Sequence, residues 1–429
     1  MKKTSLLLLT SYFSLLTLAL GAKSGEAYGY DPLQGATYRG NLLRDGHYLN
    51  EPAPDLQKVS WQFKTGGMVI ASPVVTGGKV FVGSHDGSFY CLDAEKGTKL
   101  WAFEAGAPIY SSATIYDGVV FFTANNAKLY ALDAASGTKK WEAELTTEKK
   151  LNHLSSPGVA FGIVFIGSGT EQKLGVCGWS GKRLIGFDVA TGEKVWQDNA
   201  PKGNGLECIG ASVIFPNGTL LSNSSWYCSV LIDLATGSYL WNGSRTDTLT
   251  AGHYYATHCS GGGDIAYVAT ARGGDQSGQS QTSQLIAISL KDGAKQKNKW
   301  TVYPYPDFGE GGLKQKPKDG KDHTCWAPLA IAEGILLAPN NDGFLRAFEA
   351  EKGGRLWETD LKAPLRSGPS LAGGCVVIAG NDGKIHTLDL KTGKLKNSVP
   401  VGTKFQSSPA ISGGKVYIGS DDGCVYAIE

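Results

Sequence analysis

The stretch "YCLDAEKGTKLW" (90–101) recurs along the chain as "YALDAASGTKKW" (130–141), "IGFDVATGEKVW" (185–196), "VLIDLATGSYLW" (230–241) and "RAFEAEKGGRLW" (346–357), with a weaker copy, "HTLDLKTGKLKN", at 386–397. Each copy sets an acidic residue four positions before a glycine, and the glycine four before a large terminal residue, as in Asp93, Gly97 and Trp101. An aspartate can open a turn, and a glycine can take the left-handed conformation that a Cβ disfavours. The phrase therefore reads as a hairpin turn joining two strands and ending in an apolar anchor.

Working outward, "ASPVVTGGKVFVGSHDGSFYCLDAEKGTKLW" (71–101) is cut by turn signals at Gly77-Gly78, Asp86-Gly87 and Glu95-Lys96-Gly97 into four short β-rich runs. The anchors fall at Trp61, Trp101, Trp141, Trp196, Trp241, Trp300 and Trp357, with Asn397 in the eighth place. The first two intervals and the last are 40 residues long. Four-stranded units at this period predict propeller blades. The last unit stops at Glu429, the position of Asp93, before its fourth strand, whereas "LQKVSWQFKTGG" (56–67) is a fourth strand with no blade before it. The expected fold is all-β: an eight-bladed β-propeller over 56–429, its last blade closed by the N-terminal strand. Asn397 predicts that blade seven is the weakest joint, with a vacant place for a tryptophan.

These residues resemble the pyrroloquinoline-quinone-type propeller repeat. The shared features are Ser-Pro entering the first strand, Gly-x-Val-x-Val-Gly, Asp-Gly, and Tyr-Ala-Leu-Asp-Ala-x-(Thr/Ser)-Gly before Trp. The resemblance implies the fold over 56–429 but leaves activity open. That superfamily holds quinone-dependent alcohol dehydrogenases, the propeller lipoprotein of outer-membrane assembly, and exported proteins of unknown role.

Lys2 and Lys3, the apolar run from Leu6 to Leu20 and the small residues that follow read as an export signal over 1–22. A lead-in segment, 23–55, separates it from the ring. The apolar run is shorter than the ~20 residues of a spanning helix, and the first cysteine is Cys91, so no lipid attachment is expected near the cleavage site. The expected location is periplasmic or secreted. Lys plus Arg number 41 against 39 Asp plus Glu, which gives no electrostatic case for nucleic acid or an anionic membrane. Eight cysteines in an exported chain permit disulfides; Cys208 with Cys228, and Cys259 with Cys325, stand in loops that such bonds would pin.

Departures from the repeat locate function. The interval from each anchor to the next Ser-Pro position is 12 residues at blades one, two, seven and eight, but 16, 17, 17 and 28 at blades three to six. The span from the first-turn glycine to the aspartate position is 15 residues except in blades three (Gly162 to Asp188) and five (Gly263 to Ser289), where it is 26. In a four-stranded blade both kinds of insertion emerge on one face. Loop length costs little free energy, which explains any single insertion but not their common side. The elaborated face over blades three to six is the expected functional face.

That face gathers reactive side chains. Five residues before the Ser-Pro position come Asn152, Cys208, His253 and His323, with His153 adjacent, a ring at the channel mouth able to hold a metal or an anionic cofactor. The segment "GSGTEQKLGVCGWSGKRLIGFD" (167–188) resembles the third-blade stretch of quinone-dependent alcohol dehydrogenases. The resemblance implies Glu171 as a calcium ligand, Asp322 as a catalytic base by position, and Trp179, Arg183, Arg272, His253, His323 and Trp326 around pyrroloquinoline quinone. This sequence departs from that pattern. Three residues rather than one separate Glu171 from Gly175-Val176, Arg272 or Gly273 stands where a ligand Asn is expected, and no adjacent Cys pair occurs. The first reading is thus a non-enzymatic exported scaffold binding a protein partner or ligand on the elaborated face; the alternative is a calcium- and quinone-dependent alcohol dehydrogenase using the same face.

Overall fold

In the computed structural model, which describes residues 36–145, 153–169, 183–197, 212–223, 229–242, 254–262, 264–272, 283–290, 298–302 and 323–429, the repeat phrase is the turn between the third and fourth strands of a sheet. Asp93 Oδ1 accepts the amides of Glu95 (3.0 Å) and Lys96 (2.8 Å), and Gly97, at φ +67°, donates back to the Asp93 carbonyl. The glycine has a second reason. A Cβ there would lie 2.5 Å from the Trp61 ring; at Gly137 it would lie 2.6 Å from Trp101, and at Gly393 2.4 Å from Trp357. The tryptophan of each blade covers the glycine turn of the next and donates its Nε1–H to the carbonyl after the acidic residue. Trp61 reaches Ala94 at 2.9 Å, Trp196 reaches Leu234 at 2.8 Å, and Trp357 reaches Leu390 at 3.0 Å. Trp101, Trp141 and Trp300 do the same; the Trp241 side chain lies outside the described residues. Both ends of the phrase serve the same joint, one blade apart.

The described residues form eight antiparallel sheets, each the four strands of one blade. In blade one they are Val74–Thr76, Lys79–Gly83, Ser88–Asp93 and Lys99–Glu104. Blade two gains a short extra strand, Ala36–Thr37, and in blade three two segments, His153–Leu154 and Gly158–Ala160, share the first-strand edge. Apolar residues from facing sheets make the core between blades, as where Phe89 of blade one stacks on Phe122 of blade two at 4.2 Å. Among the described residues no helix is long and apolar enough to cross a membrane.

Closure is as the sequence implies. Val59–Lys64 pairs with Cys424–Ile428, placing Trp61 opposite Ala427. The amides of Gln57 and Lys58 donate to the Glu429 carbonyl, and Glu429 donates to Lys58. Because Leu56–Lys58 and Glu429, remote in sequence, meet where the other blades have this turn, blade eight has no Asp-x-x-x-Gly for a tryptophan to cover. Asn397 instead donates Nδ2 to the Leu56 carbonyl at 2.5 Å, beside a Leu56 side chain only 1% exposed. A tryptophan at 397 would therefore find no glycine turn to cover.

The Ser-Pro phrase lines the channel. Ser408 donates its amide to Ser72 Oγ (2.8 Å), Ser72 to Ser112 Oγ (2.9 Å), and Ser112 to Ser156 Oγ (2.9 Å). Gly368 donates to Ser408 Oγ at 3.1 Å. These bonds link consecutive inner strands across the point of closure.

Residues 36–50, within the lead-in, run round the inside of the ring as a plug. The carbonyls of Leu42, Leu43, Asp45 and Gly46 accept the amides of Ile214, Gly261, Ile331 and Leu371. Arg39 donates Nη2 to the carbonyls of Leu329 and Pro369, and Arg44 to those of Ser156 and Pro157. Both guanidinium groups are buried, and desolvation pushes the Arg39 pKa down. Gly368 stands where other blades have the ring serine because Arg39 Nη1 lies 2.0 Å from where its Cβ would be.

Candidate functional site at the channel mouth

The loops between second and third strands frame the mouth on the elaborated face. In blade one, Asp86 takes the Ser88 amide on Oδ1 (2.9 Å) and the Tyr90 hydroxyl on Oδ2 (2.8 Å). Blade eight repeats this with Asp422, Cys424 and Tyr426 at 2.9 Å each. Blade six keeps the backbone half: Asp342 Oδ1 accepts the Phe344 amide at 3.0 Å. Its Oδ2 is used differently. Arg346 replaces the tyrosine and donates Nη2 at 2.8 Å, while His323 brings Nδ1 to 2.7 Å.

All three side chains are buried: Asp342 at 0% and Arg346 and His323 at 3% exposed. Burial alone would push the Asp342 carboxyl up, but the hydrogen bonds from His323 and Arg346 outweigh it and hold the group below the usual carboxylate range. Arg346 continues to Glu358 through Nε at 3.3 Å and lies over the Phe344 ring at 4.8 Å. The backbone is held as well. Asn340 Nδ2 donates to the His323 carbonyl (3.0 Å), and the Asn341 amide to the Thr324 carbonyl (3.0 Å). The far end of the longest insertion is thus fixed to blade six by a buried ion cluster and two carbonyl contacts.

Those amide-to-carbonyl bonds also define a register. His85 to Met68, Asn125 to Pro108, Asn341 to Thr324, Asn381 to Pro364 and Asp421 to Lys404 are equivalent. The residues two positions on, Ile70, Tyr110, Trp326, Arg366 and Gln406, therefore share one place at the mouth. Trp326 is 43% and Tyr110 40% exposed, on opposite blades, and Met68, next to His85, is 43% exposed. His85 packs against Tyr110 at 4.4 Å, and burial pushes its pKa down against the opposing effect of Asp421 and Asp86. In blade six Leu329, not Pro328, holds the place of Pro369, since both carbonyls receive Arg39. Counting back from the proline is consequently off by one there: Thr324 takes the ring position and His323 lies inside, bonded to Asp342.

Of the other expected site residues, Asn152, Glu171, Trp179, Cys208, His253 and Asp322 lie outside the described residues. His153, Arg183 and Arg272 are described in backbone only. His153 pairs with Gly169, Arg183 with Ser168 and Arg272 with Tyr254, all at strand ends on the elaborated face. Of the expected quinone-contacting set, the described side chains are His323, locked in the ion cluster, and Trp326, free to stack. Cys325 is fully buried, its thiol pushed up to about 12 by desolvation, and the expected disulfide with Cys259 is not made. Cys91, Cys375 and Cys424 are free, buried thiols; Cys177, Cys208, Cys228 and the Cys259 side chain lie outside the described residues. The Asp342–Arg346 pair was missed in the sequence, although the phrase "RAFEAEKGGRLW" signals it by carrying Arg where the copies of blades one and two have Tyr.

Residues 23–299 and 341–429 match the family described as outer membrane protein assembly factor BamB. The chain belongs to this family. No curated protein matches it. Among solved structures, this BamB-family chain is similar to BamB from Moraxella catarrhalis, at 18% identity and TM-score 0.66, covering 87% of this chain and 99% of that one. It is also similar to the quinohemoprotein alcohol dehydrogenase of Comamonas testosteroni, at 15% identity and TM-score 0.70 over 97% and 83%. A europium-containing methanol dehydrogenase gives 15% identity and TM-score 0.69 over 95% and 92%. At these identities the structural likeness shows the fold.

Proposed function

We propose that this BamB-family chain is an exported scaffold that binds a protein partner through the elaborated face. The observation that carries this reading is the cluster of His323, Asp342 and Arg346, which ties the far end of the longest insertion to blade six beside Trp326, exposed at the mouth opposite Tyr110. Exposed aromatics on a held frame supply contact area at low entropic cost, as partner-binding surfaces require. Membership of a family of outer membrane protein assembly factors supports a role in assembly rather than turnover. A photo-crosslinking residue placed at 326 should yield a discrete adduct in cells, and one placed at 414, on the plain face, should not. Adducts from both positions, or from 414 alone, would overturn the assignment of the face.

The second reading, a calcium- and quinone-dependent dehydrogenase, is favoured by the Glu171 stretch and by Trp326, a side chain able to cover a planar quinone. Adding pyrroloquinoline quinone with calcium should leave absorbance and melting temperature unchanged if the scaffold reading holds. A spectral shift lost in Glu171→Gln would favour the enzyme.

A further inference from the structure

The plug does not treat the eight inner strands alike. Ile214, Gly261, Ile331 and Leu371, equivalent residues of blades four to seven, donate their amides to plug carbonyls, and Ile115 of blade two pairs with Ala36. Val75 and Ile411 hold the same place in blades one and eight. Among the described residues neither donates to the plug: Val74–Thr76 pairs there only with the second strand of its blade, and so does Ala410–Ser412. Between these two strands and the plug lies a groove of about 170 Å³, bordered by Ala36, Asn41, Leu49, Val75, Ile411 and Ser412. Glu51 at its outer end accepts the Gly413 amide, which places the opening at the first hairpin turns, on the plain face.

Asn41 supplies a second, independent sign. It is 8% exposed, and its Nδ2 is held by Asp45 Oδ1 at 2.7 Å. Its Oδ1, also buried, has no partner. A buried carbonyl-type oxygen without a donor is costly.

We propose that this groove accepts an extended peptide segment of a partner protein, carrying an apolar side chain of leucine or phenyl size. Two inner-edge amides and one amide oxygen complement the alternating C=O and N–H groups of an extended backbone, the basis of strand addition to a free edge. The plug shows inner-edge amides of blades four to seven donating to passing backbone carbonyls, and at blade two a short extended segment, Ala36–Thr37, pairing with the inner strand. The volume fits one side chain, since a cavity of about 150 Å³ takes a benzene ring. The walls agree, with Ala36, Val75, Ile411 and the 52%-exposed Leu49 on the groove. This site is on the face opposite Trp326, so its occupancy is independent of the scaffold face.

The test uses the full chain and the peptide acetyl-Val-Thr-Leu-Thr-Val-amide. At saturating peptide, hydrogen exchange at the Val75 and Ile411 amides should slow at least tenfold. Two comparisons should each weaken binding at least tenfold: backbone N-methylation of the peptide's central residues, and Ser412→Trp, which fills the groove's rim. The N-methylated peptide needs no protein variant, so a misfolded Ser412→Trp would not blunt the test. Unchanged exchange at Val75 and Ile411, or equal binding of the N-methylated peptide, would overturn the proposal.

Discussion

Blades six and eight carry an aspartate at the same point of the same loop, and the two do different work. Asp422 holds one backbone amide and one tyrosine hydroxyl, both within its own blade. Asp342 holds the same amide but gives its other oxygen to a cation and a histidine that reaches in from the 28-residue connection. The repeat thus fixes loop shape through the backbone bond alone, leaving the second oxygen to be reassigned. Reassignment has occurred where the chain is elaborated.

The largest effect should separate the two aspartates. Asp342→Ala leaves the buried Arg346 guanidinium with only the partly exposed Glu358 and should cost about 3–5 kcal/mol. Asp422→Ala removes hydrogen bonds at a half-buried loop and should cost about 1–2 kcal/mol. Denaturant unfolding of both variants checks this; equal losses would mean that the blade-six cluster is no more than a variant of the tyrosine pair.

Joints give the next contrast. Gly393→Ala puts a Cβ 2.4 Å from Trp357 at a φ of +68°, and should cost about 2–4 kcal/mol through overpacking and backbone strain. Asn397→Trp, at the closing joint, should lower the melting temperature too, because it removes the hydrogen bond to the Leu56 carbonyl and meets no glycine turn to cover. A higher melting temperature would show that a tryptophan place survives there.

Acid sharpens the first comparison. The folded Asp342 carboxyl titrates below its ordinary value, so its stabilisation is present above the unfolded pKa of about 4 and fades as pH falls through the folded value. The stability gap between wild type and Asp342→Asn should therefore narrow from pH 5 to pH 3. A gap that widens on acidification would contradict the sign. Tyr426→Phe should have the smallest effect, about 0.5–1.5 kcal/mol, read from the same unfolding curves.

The ring was legible because a turn needs Asp and Gly at fixed spacing, and because a closing strand leaves an unmatched half-unit at each end of the chain. The positions of the insertions were legible for a similar reason, since a ruler of constant period shows every insertion. Three features were not. The plug residues Arg39 and Arg44 bond to backbone carbonyls, which any sequence offers, so nothing in the rest of the chain marks their partners. Leu329 displaces the repeat proline by one residue, a shift that only hydrogen-bond register reveals, and it moved His323 from the mouth into the cluster with Asp342. Asn397 read as a missing anchor because the turn it would have covered is split between Leu56 and Glu429, remote in sequence.

The central claim is that the blade-six cluster holds the elaborated face for its partner. It is tested most directly by crosslinking from position 326 in three backgrounds: wild type, Asp342→Asn and Asp422→Asn. The adduct should fall at least tenfold in Asp342→Asn and persist in Asp422→Asn, with both variants still folded at neutral pH. An adduct undiminished in Asp342→Asn, or lost equally in both, would contradict the account.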